Sequence, residues 1–307
     1  MNQTSRSNIY KYSPPQSIDV LVIFAKLNNR NTKAKDRFRR TTTSLLNFAS
    51  LSVTLHIVSD NGTLSIARHI LNESNAKNFQ LNFYDIDVLS KKIVHRLGQD
   101  LLQFFRYSPD SYYGDALFFL SLVTHDLFPA LKKVIKIDSD LWFRADITEL
   151  WSVFDQFSPS QQFGFAREQQ PVYRHVFNIY RSIVNTSTKV GDPPPDGITG
   201  FNSGVILMDL EKIRSNRSPF RSLIKLENVR RLVQKYRFRG HLGDQDLYTL
   251  LSIENPELFY ILPCQWNRQL CQWWREHGYA DVFDQYFKCK EPIKLYHGNC
   301  QTPFPDY

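Results

Sequence analysis

The sequence predicts an α/β fold with a mostly parallel central sheet flanked by helices, and three observations predict it. Ile18–Lys26 (IDVLVIFAK) is a nearly continuous apolar run bounded by polar residues, the pattern of a parallel strand buried on both faces. Val53–Val58 (VTLHIV) and Val134–Ile137 lead with β-branched residues into clusters of acids and turn formers. Segments with apolar residues at helical spacing separate these runs, which gives the βαβ order of a parallel sheet.

The elements follow in turn. A basic stretch from Lys33 to Arg40 leads into Leu45, Leu46 and Phe48 at helical spacing. Val53–Val58 is closed by Ser59–Asp60–Asn61–Gly62, a turn cluster, and Leu64–Leu71 reads as the next helix. Leu81–Ile86 reads as the third strand, Lys91–Phe105 and Tyr112–Leu127 as helices, and Lys133–Asp138 as the fourth strand. Asp146–Trp151 is a capped short helix and Phe163–Ala166 a strand. Arg167–Thr199 is the least regular part, with Gly191 and three successive prolines, and reads as a long surface loop. Gly200–Leu210 pairs a polar turn with an apolar strand. Arg221–Arg239 is a basic helical region, and Asp244 stands near the N-cap of a helix that runs to Ile253. Ile293–Tyr296 is a last strand, ending at His297–Gly298. Residues 18–307 are expected to form one domain; residues 1–17 are polar, carry Pro14 and Pro15, and read as a flexible N-terminal segment.

A net charge of +8 favours anionic partners. No helix-turn-helix, zinc-finger or RNP pattern is present, so nucleic acid is not the expected partner. Neither GxGxxG nor GxxxxGK[ST] occurs; a bound nucleotide therefore needs side chains and a metal to hold its phosphates. The clusters Arg37–Arg39–Arg40 and Arg237–Arg239 read as solvated faces. Cys264, Cys271, Cys289 and Cys300 lie close together without a CxxC pair, which suits two local disulfides in an oxidising compartment over a zinc site. Three pairings are open to them. Sequons at Asn2, Asn61, Asn72 and Asn185 agree with a lumenal location. No apolar run reaches membrane-span length, so a targeting element and any membrane anchor are expected outside these residues.

Asp138 and Asp140 end the fourth strand one residue apart. If the strand continued they would share a side and could hold one hard cation through oxygen ligands. Two carboxylates that close are costly without a counter-charge. Asn202 and Ser203 follow Gly200 in a polar turn suited to a hydroxylated ligand. Trp266, Trp273 and Trp274 crowd the tail, and indole faces stack on sugars.

Four motifs stand in one order: KIDSDLW, FNSGVILMDL, HLGDQD and KLYHGN. Together they resemble glycosyltransferase family 8, which includes glycogenin, bacterial lipooligosaccharide galactosyltransferases and xylosyl- and glucuronyltransferases. The resemblance covers nearly the whole chain from Ile18 onward. It implies a GT-A nucleotide-sugar transferase fold with a disulfide-stapled C-terminal segment, and retaining transfer from a uridine-diphosphate sugar. It implies Asp138, Asp140 and His297 as ligands of Mn²⁺, with Mg²⁺ as an alternative. Phe24, Ala25, Lys26, Asp138, Ser139, Asn202, Ser203 and Gly298 match donor-binding positions, and Asp244 and Gln245 match the positions lining the reacting face of the sugar. Trp273, Trp274 and Asn299 are the candidate acceptor contacts. The expected pairing is Cys264–Cys289 and Cys271–Cys300.

The tail from HLGDQD to KLYHGNC resembles the family's xyloside-xylosylating branch. That implies UDP-xylose as donor and, as acceptor, O-linked xylose–glucose on EGF-like repeats, extended in α-1,3 linkage within the endoplasmic reticulum. A glucosyl- or galactosyltransferase, or an idle glycan-binding relative, is the alternative. The chain departs from family habit at Lys136–Ile137 before the acids and at Asn299–Cys300–Gln301, where a basic residue is usual.

Overall fold

The apolar run at the N-terminal end forms β1 (Ser17–Ile23), and Val20, Leu21 and Val22 along it are fully buried because both faces of the sheet are covered. A computed structural model describes residues 17–27, 32–74, 76–106, 115–184 and 188–306. The expected N-terminal segment lies outside the described residues except Ser17, which already belongs to β1.

The strands that follow are β2 (Ser52–Ser59), β3 (Phe79–Asp85), β4 (Lys133–Ile137), β5 (Leu141–Phe143), β6 (Phe163–Arg167), β7 (Phe201–Asp209), β8 (Phe259–Leu262), β9 (Arg268–Gln269) and β10 (Leu295–His297). Seven of them form one sheet in the order β3-β2-β1-β4-β7-β6-β8. β1 to β4 are parallel to their neighbours among themselves, and β7 runs antiparallel to β4 and β6. The carboxyl ends of β1, β2 and β4 thus share one edge with the amino end of β7. Ligands collect at such an edge in open α/β sheets. Two apolar cores, one built around Leu21, Phe163 and Ile206 and the other around Val20, Val22 and Leu207, cover the two faces. A small sheet, β5-β10-β9, stands beside this edge. In it β10 pairs antiparallel with β5 and parallel with β9.

Several expected elements are subdivided. The helix over Lys91–Phe105 is two helices, Ile86–Leu97 and Gln99–Gln103, broken at Gly98, whose φ of +78° no helix interior accommodates. Of the helix expected over Tyr112–Leu127, residues 112–114 lie outside the described residues; the rest is a 3₁₀ turn, Ala116–Phe119, leading into Leu120–Leu127. The basic region is two helices, Phe220–Leu223 and Leu226–Lys235. The long surface loop is a correction. It carries helices Val172–Val176 and Asn178–Val184, and Glu168, Gln169, Gln170 and Tyr173 in its first turn are buried. Glu168 meets Asn202 there, Gln169 meets Asn267 and Gln269, and the Tyr173 hydroxyl meets Asp246.

The tail is tied by Cys264–Cys289 and Cys271–Cys300, the expected pairing. Among the described residues no helix is long and apolar enough to cross a membrane.

Candidate active site

β4 stops at Ile137, and its last amide contact is Asp138 N–H to the carbonyl of Gly204 at 2.9 Å. The chain bends through Asp138 and Ser139 and resumes as β5, so the two acids sit in a turn and not on a continuing strand. β5 pairs with β10 through Leu141 and His297. That pairing delivers His297 to the acids: its Nε2 lies 3.6 Å from Asp138 Oδ2 and 3.4 Å from Asp140 Oδ1. One ligand atom from each of Asp138, Asp140 and His297 lies within 4.8 Å of the other two.

Gly204 makes this approach possible. A Cβ on that residue would stand 2.3 Å from His297 Cε1, inside any tolerable contact, so the glycine of FNSG leaves the space the imidazole fills. Gly298 N–H then closes onto the Asp140 carbonyl at 2.9 Å, fixing the turn and the strand end together.

Counter-charges surround the acids. Lys136 precedes Asp138 by two positions, near the end of β4. It is buried, with Nζ 3.6 Å from Asp138 Oδ1 and 3.4 Å from the Ser203 carbonyl. Arg37 is a correction. It is no part of a solvated face: its guanidinium lies 3.4 Å from Asp140 Oδ2 and donates to the carbonyls of Gly298 at 2.7 Å and Thr302 at 3.3 Å. Its neighbours Arg39, paired with the exposed Glu73, and Arg40, over the Trp142 and Phe304 rings, stay at the surface. Burial pushes the Asp140 carboxyl up, but His297 and Arg37 outweigh it and hold the group below its usual range. Burial pushes the His297 imidazole down, and Asp140 and Asp138 more than reverse this. Positive charge is therefore favoured here, on the imidazole itself or on a cation held between it and the carboxylates.

Behind His297 lies a buried polar chain. His297 Nδ1 is 3.0 Å from Asn267 Oδ1, Asn267 Nδ2 donates to Asn202 Oδ1 at 2.9 Å, and Asn202 Nδ2 donates to Glu168 Oε2 at 3.2 Å. Among the described residues Glu168 Oε1 has no hydrogen-bond partner, and burial pushes this carboxyl up to about 7. Gln169 bonds Asn267 and Gln269, so the start of the former loop is sewn to β9.

Asp244 and Gln245 open the helix Asp244–Glu254, next to Gly243 at the cap. Gln245 Oε1 accepts from Ser203 N–H at 2.9 Å, which ties it to the amino end of β7. Asp244 is buried and accepts from the Ser121 hydroxyl. Burial raises its carboxyl, with Lys136 opposing. Asp246 is wholly buried, accepts from Leu242 N–H at 2.7 Å and from the Tyr173 hydroxyl at 3.0 Å, and is pushed up to about 7 by burial.

The other expected positions separate into two groups. Phe24, Ala25 and Lys26 follow β1 on the same edge of the sheet. Phe24 is buried, its ring stacked 3.7 Å from Phe38, so that only its backbone remains for a ligand. Ala25 packs against the core. Lys26 adopts φ +59° and pairs with Asp115, with its side chain 61% exposed. Ser139 offers its carbonyl to Thr41, from the helix Thr32–Phe48. Trp273 and Trp274 stand on a short helix, where Trp274 packs on His175 of the former loop at 4.8 Å and on Tyr279, while Trp273 stacks on His277. Asn299 Oδ1 already accepts from Leu270 and Cys271 N–H, a structural bond that leaves only its amide nitrogen for an acceptor. The sequence reading did not single out Arg37, Glu168 or Asn267 for the site, and it noted Lys136 only as a departure from family habit. A lysine inside an otherwise apolar strand was the one available signal.

The donor set of two carboxylates and an imidazole nitrogen, held at these separations, fits one divalent cation.

The chain compares closely with several known proteins. It is 42% identical over 302 residues to Xyloside xylosyltransferase 1 of Mus musculus and equally to that of Homo sapiens, covering 95% of this chain and 76% of each relative. Xylosyl- and glucuronyltransferase LARGE1 of Homo sapiens is 29% identical over 235 residues, 75% of this chain and 27% of that protein. The crystal structure of mouse Xyloside xylosyltransferase 1 superposes with a TM-score of 0.89 at 42% identity, over 94% of this chain and all of that one. The galactosyltransferase LgtC superposes with a TM-score of 0.54 at 14% identity, over 91% of this chain and 86% of that one, which supports the GT-A fold. The Glycosyl transferase family 8 profile matches residues 23–297, from the end of β1 to the candidate metal ligand at the end of β10. The chain is a GT-A glycosyltransferase and belongs to Glycosyl transferase family 8.

Proposed function

We propose that this chain is a metal-dependent retaining xylosyltransferase. It moves xylose from UDP-xylose in α-1,3 linkage onto the xylose of O-linked xylose–glucose on EGF-like repeats. The observation that carries the reading is the junction of Asp138, Asp140 and His297 on a chain 42% identical to xyloside xylosyltransferases over nearly its whole length. The two disulfides support work in an oxidising lumen, for which the endoplasmic reticulum is proposed.

Asp138, Asp140 and His297 would hold Mn²⁺; the nitrogen donor favours it over Mg²⁺. When bound, such an ion neutralises charge on the diphosphate leaving group. The remaining work falls to the chain's own residues. The backbone at Phe24–Lys26 and the Lys26 side chain border the nucleotide. Lys136 lies beneath Asp138 as its counter-charge, and Arg37 helps to hold Asp140 ionised while fastening the Gly298 turn. Ser203 presents the donor sugar to Gln245, and Asn202, engaged by Gly204, Asn267 and Glu168, steadies that turn from behind.

The transfer breaks the bond from xylose C1 to the β-phosphate oxygen and forms one from C1 to the acceptor oxygen on the same face. The acceptor proton passes to the departing phosphate oxygen, giving UDP. Gln245 supports this front-face course, since its amide carbonyl, steadied by Ser203 N–H, stabilises positive charge at C1 without bonding to it. Asp244 and Asp246 are engaged by Ser121, Tyr173 and Leu242 N–H, which argues against either as a nucleophile. Trp273, exposed on the short helix that Trp274 packs against the former loop, is the proposed contact for the acceptor repeat.

A donor panel tests the reading. With a xylosylated glucosyl peptide and Mn²⁺, UDP-xylose should support transfer while UDP-glucose and UDP-galactose do not. Transfer of either hexose at a comparable rate would replace the proposed donor.

A further inference from the structure

We infer that Asn267 is a positioning residue which fixes the proton of His297 on Nδ1 and thereby aims a bare Nε2 at the two carboxylates. This rests on the proposed metal role of His297, but its geometry is independent of it.

The inference follows from one donor that cannot reverse. The Gly204 amide donates to Asn202 Oδ1 at 3.1 Å, and a backbone N–H can only donate. The Asn202 oxygen must therefore face Gly204, which turns its amide nitrogen toward the Glu168 carboxylate, an acceptor. The same Asn202 oxygen takes a second bond from Asn267, so the group that Asn267 offers there must be its nitrogen. Its oxygen is left facing His297 Nδ1 at 3.0 Å. An oxygen facing an imidazole nitrogen requires a proton on that nitrogen. Each link leaves one orientation for the next, and Gly204 sets the sense of all of them.

Burial makes the chain stringent. Glu168, Asn202, Asn267 and His297 are each more than nine-tenths buried, so among them a wrongly turned amide finds no water to correct it. A reversed Asn267 would set an N–H against Nδ1, move the imidazole proton to Nε2 and point it at the space between Asp138 and Asp140. Such a tautomer hydrogen-bonds a carboxylate and cannot ligate a metal. A second bond that fixes a ligand's tautomer and ring orientation is typical of metal-bound imidazoles.

Two measurements test this. The first uses the metal-free protein with ¹⁵N-labelled histidine at pH 9, where long-range ¹H–¹⁵N correlation reads each imidazole's tautomer. Wild-type His297 should show a proton on Nδ1, and a ring protonated on Nε2 with Nδ1 bare overturns the inference whatever the metal does. The second is Mn²⁺ binding, followed by loss of the free-ion EPR signal with UDP present. Asn267→Leu, similar in size and without polar atoms, should weaken binding by about 10- to 100-fold. Asn267→Asp keeps an acceptor for Nδ1 while losing the donor to Asn202, so it should stay within about threefold of wild type even where its melting temperature falls. Equal loss in both variants, or none in Asn267→Leu, overturns the positioning role. If wild-type protein binds no divalent ion with UDP, the metal reading fails while the tautomer measurement still decides this one.

Discussion

Arg37 and Asp140 stand 103 residues apart in sequence and 3.4 Å apart in space. The arginine comes from the first helix, yet it also holds the carbonyls of Gly298 and Thr302. One guanidinium thus joins the turn after β4 to the strand end that carries His297. Arg37→Ala removes charged hydrogen bonds worth about 1–3 kcal/mol each, and frees the Gly298–Thr302 turn. We expect a fall of about tenfold or more in kcat/KM and a lowered melting temperature. Arg37→Lys keeps the charge without the planar fork and should recover only part of either. Full activity in Arg37→Ala would remove the residue from the site.

Asp140→Asn keeps the shape of the side chain and removes one charge from the junction. Turnover should fall by about 10³-fold, several kcal/mol of lost charge stabilisation. The far-ultraviolet circular dichroism should not change. Chelation of divalent ions should have the same effect on wild type. Undiminished turnover in either experiment contradicts the metal role.

Asp246 sets a pH dependence of stability. Its carboxyl is raised from an ordinary 3.8 to about 7 in the fold, chiefly by burial. Below about pH 4 it is protonated in both states and costs nothing. As pH rises toward 7 the unfolded chain releases the proton and the folded chain keeps it, so stability falls, by a total on the order of 4 kcal/mol as an upper bound. Above about 7 this contribution is constant. Asp246→Asn should flatten the slope of unfolding free energy between pH 4.5 and 7, measured by urea denaturation. Glu168, raised to about 7 for the same reason, adds a slope of the same sign, so the variant's slope should shrink and not vanish. An unchanged slope would show that Asp246 is ionised in the fold.

The two disulfides should differ in what they protect. Cys300 follows His297 by three residues, and Cys271 adjoins Leu270, whose N–H bonds the His297 carbonyl. Cys264–Cys289 ties the other side of the tail. By loop-entropy reasoning, replacing either pair with serine should cost about 3 kcal/mol of stability. Only the loss of Cys271–Cys300 should also weaken Mn²⁺ binding. Equal metal affinity in the two double variants would show that the strand end holds without it.

Trp273 is 49% exposed, whereas Trp274 packs against His175 and Tyr279. Trp273→Ala should raise the KM for a glycosylated repeat about fivefold and leave the KM for UDP-xylose alone, as expected for one lost aromatic contact of about 1 kcal/mol. Trp274→Ala should lower the melting temperature as well. A rise in the donor's KM instead would place the indole elsewhere in the reaction.

The sequence read most clearly where the physics is local. A strand buried on both faces must be apolar along its length, so β1, β2, β4 and β7 stood out, and the acids that end β4 were conspicuous after an apolar run. The breaks at Gly98 and between the two basic helices were harder, because helical spacing carries across a short interruption. The start of the Arg167–Thr199 segment misled because Glu168, Gln169 and Gln170 have the composition of a solvated loop. Glu168 is buried because Asn202 arrives to meet it, and Gln169 because Asn267 and Gln269 do.

By itself the sequence determined the sheet, its helices and the residue types offered to the site, since periodicity and turn chemistry are properties of neighbouring residues. The tertiary structure alone decided which charges meet. Arg37 reaching Asp140 joins segments 103 residues apart, Lys136 turning inward depends on the Ser203 carbonyl 67 residues on, and Asn267 turning its oxygen to His297 depends on how an amide is oriented. A polar side chain has no periodicity that reports its partner; only the packing of β4, β7 and β10 around one edge supplies it.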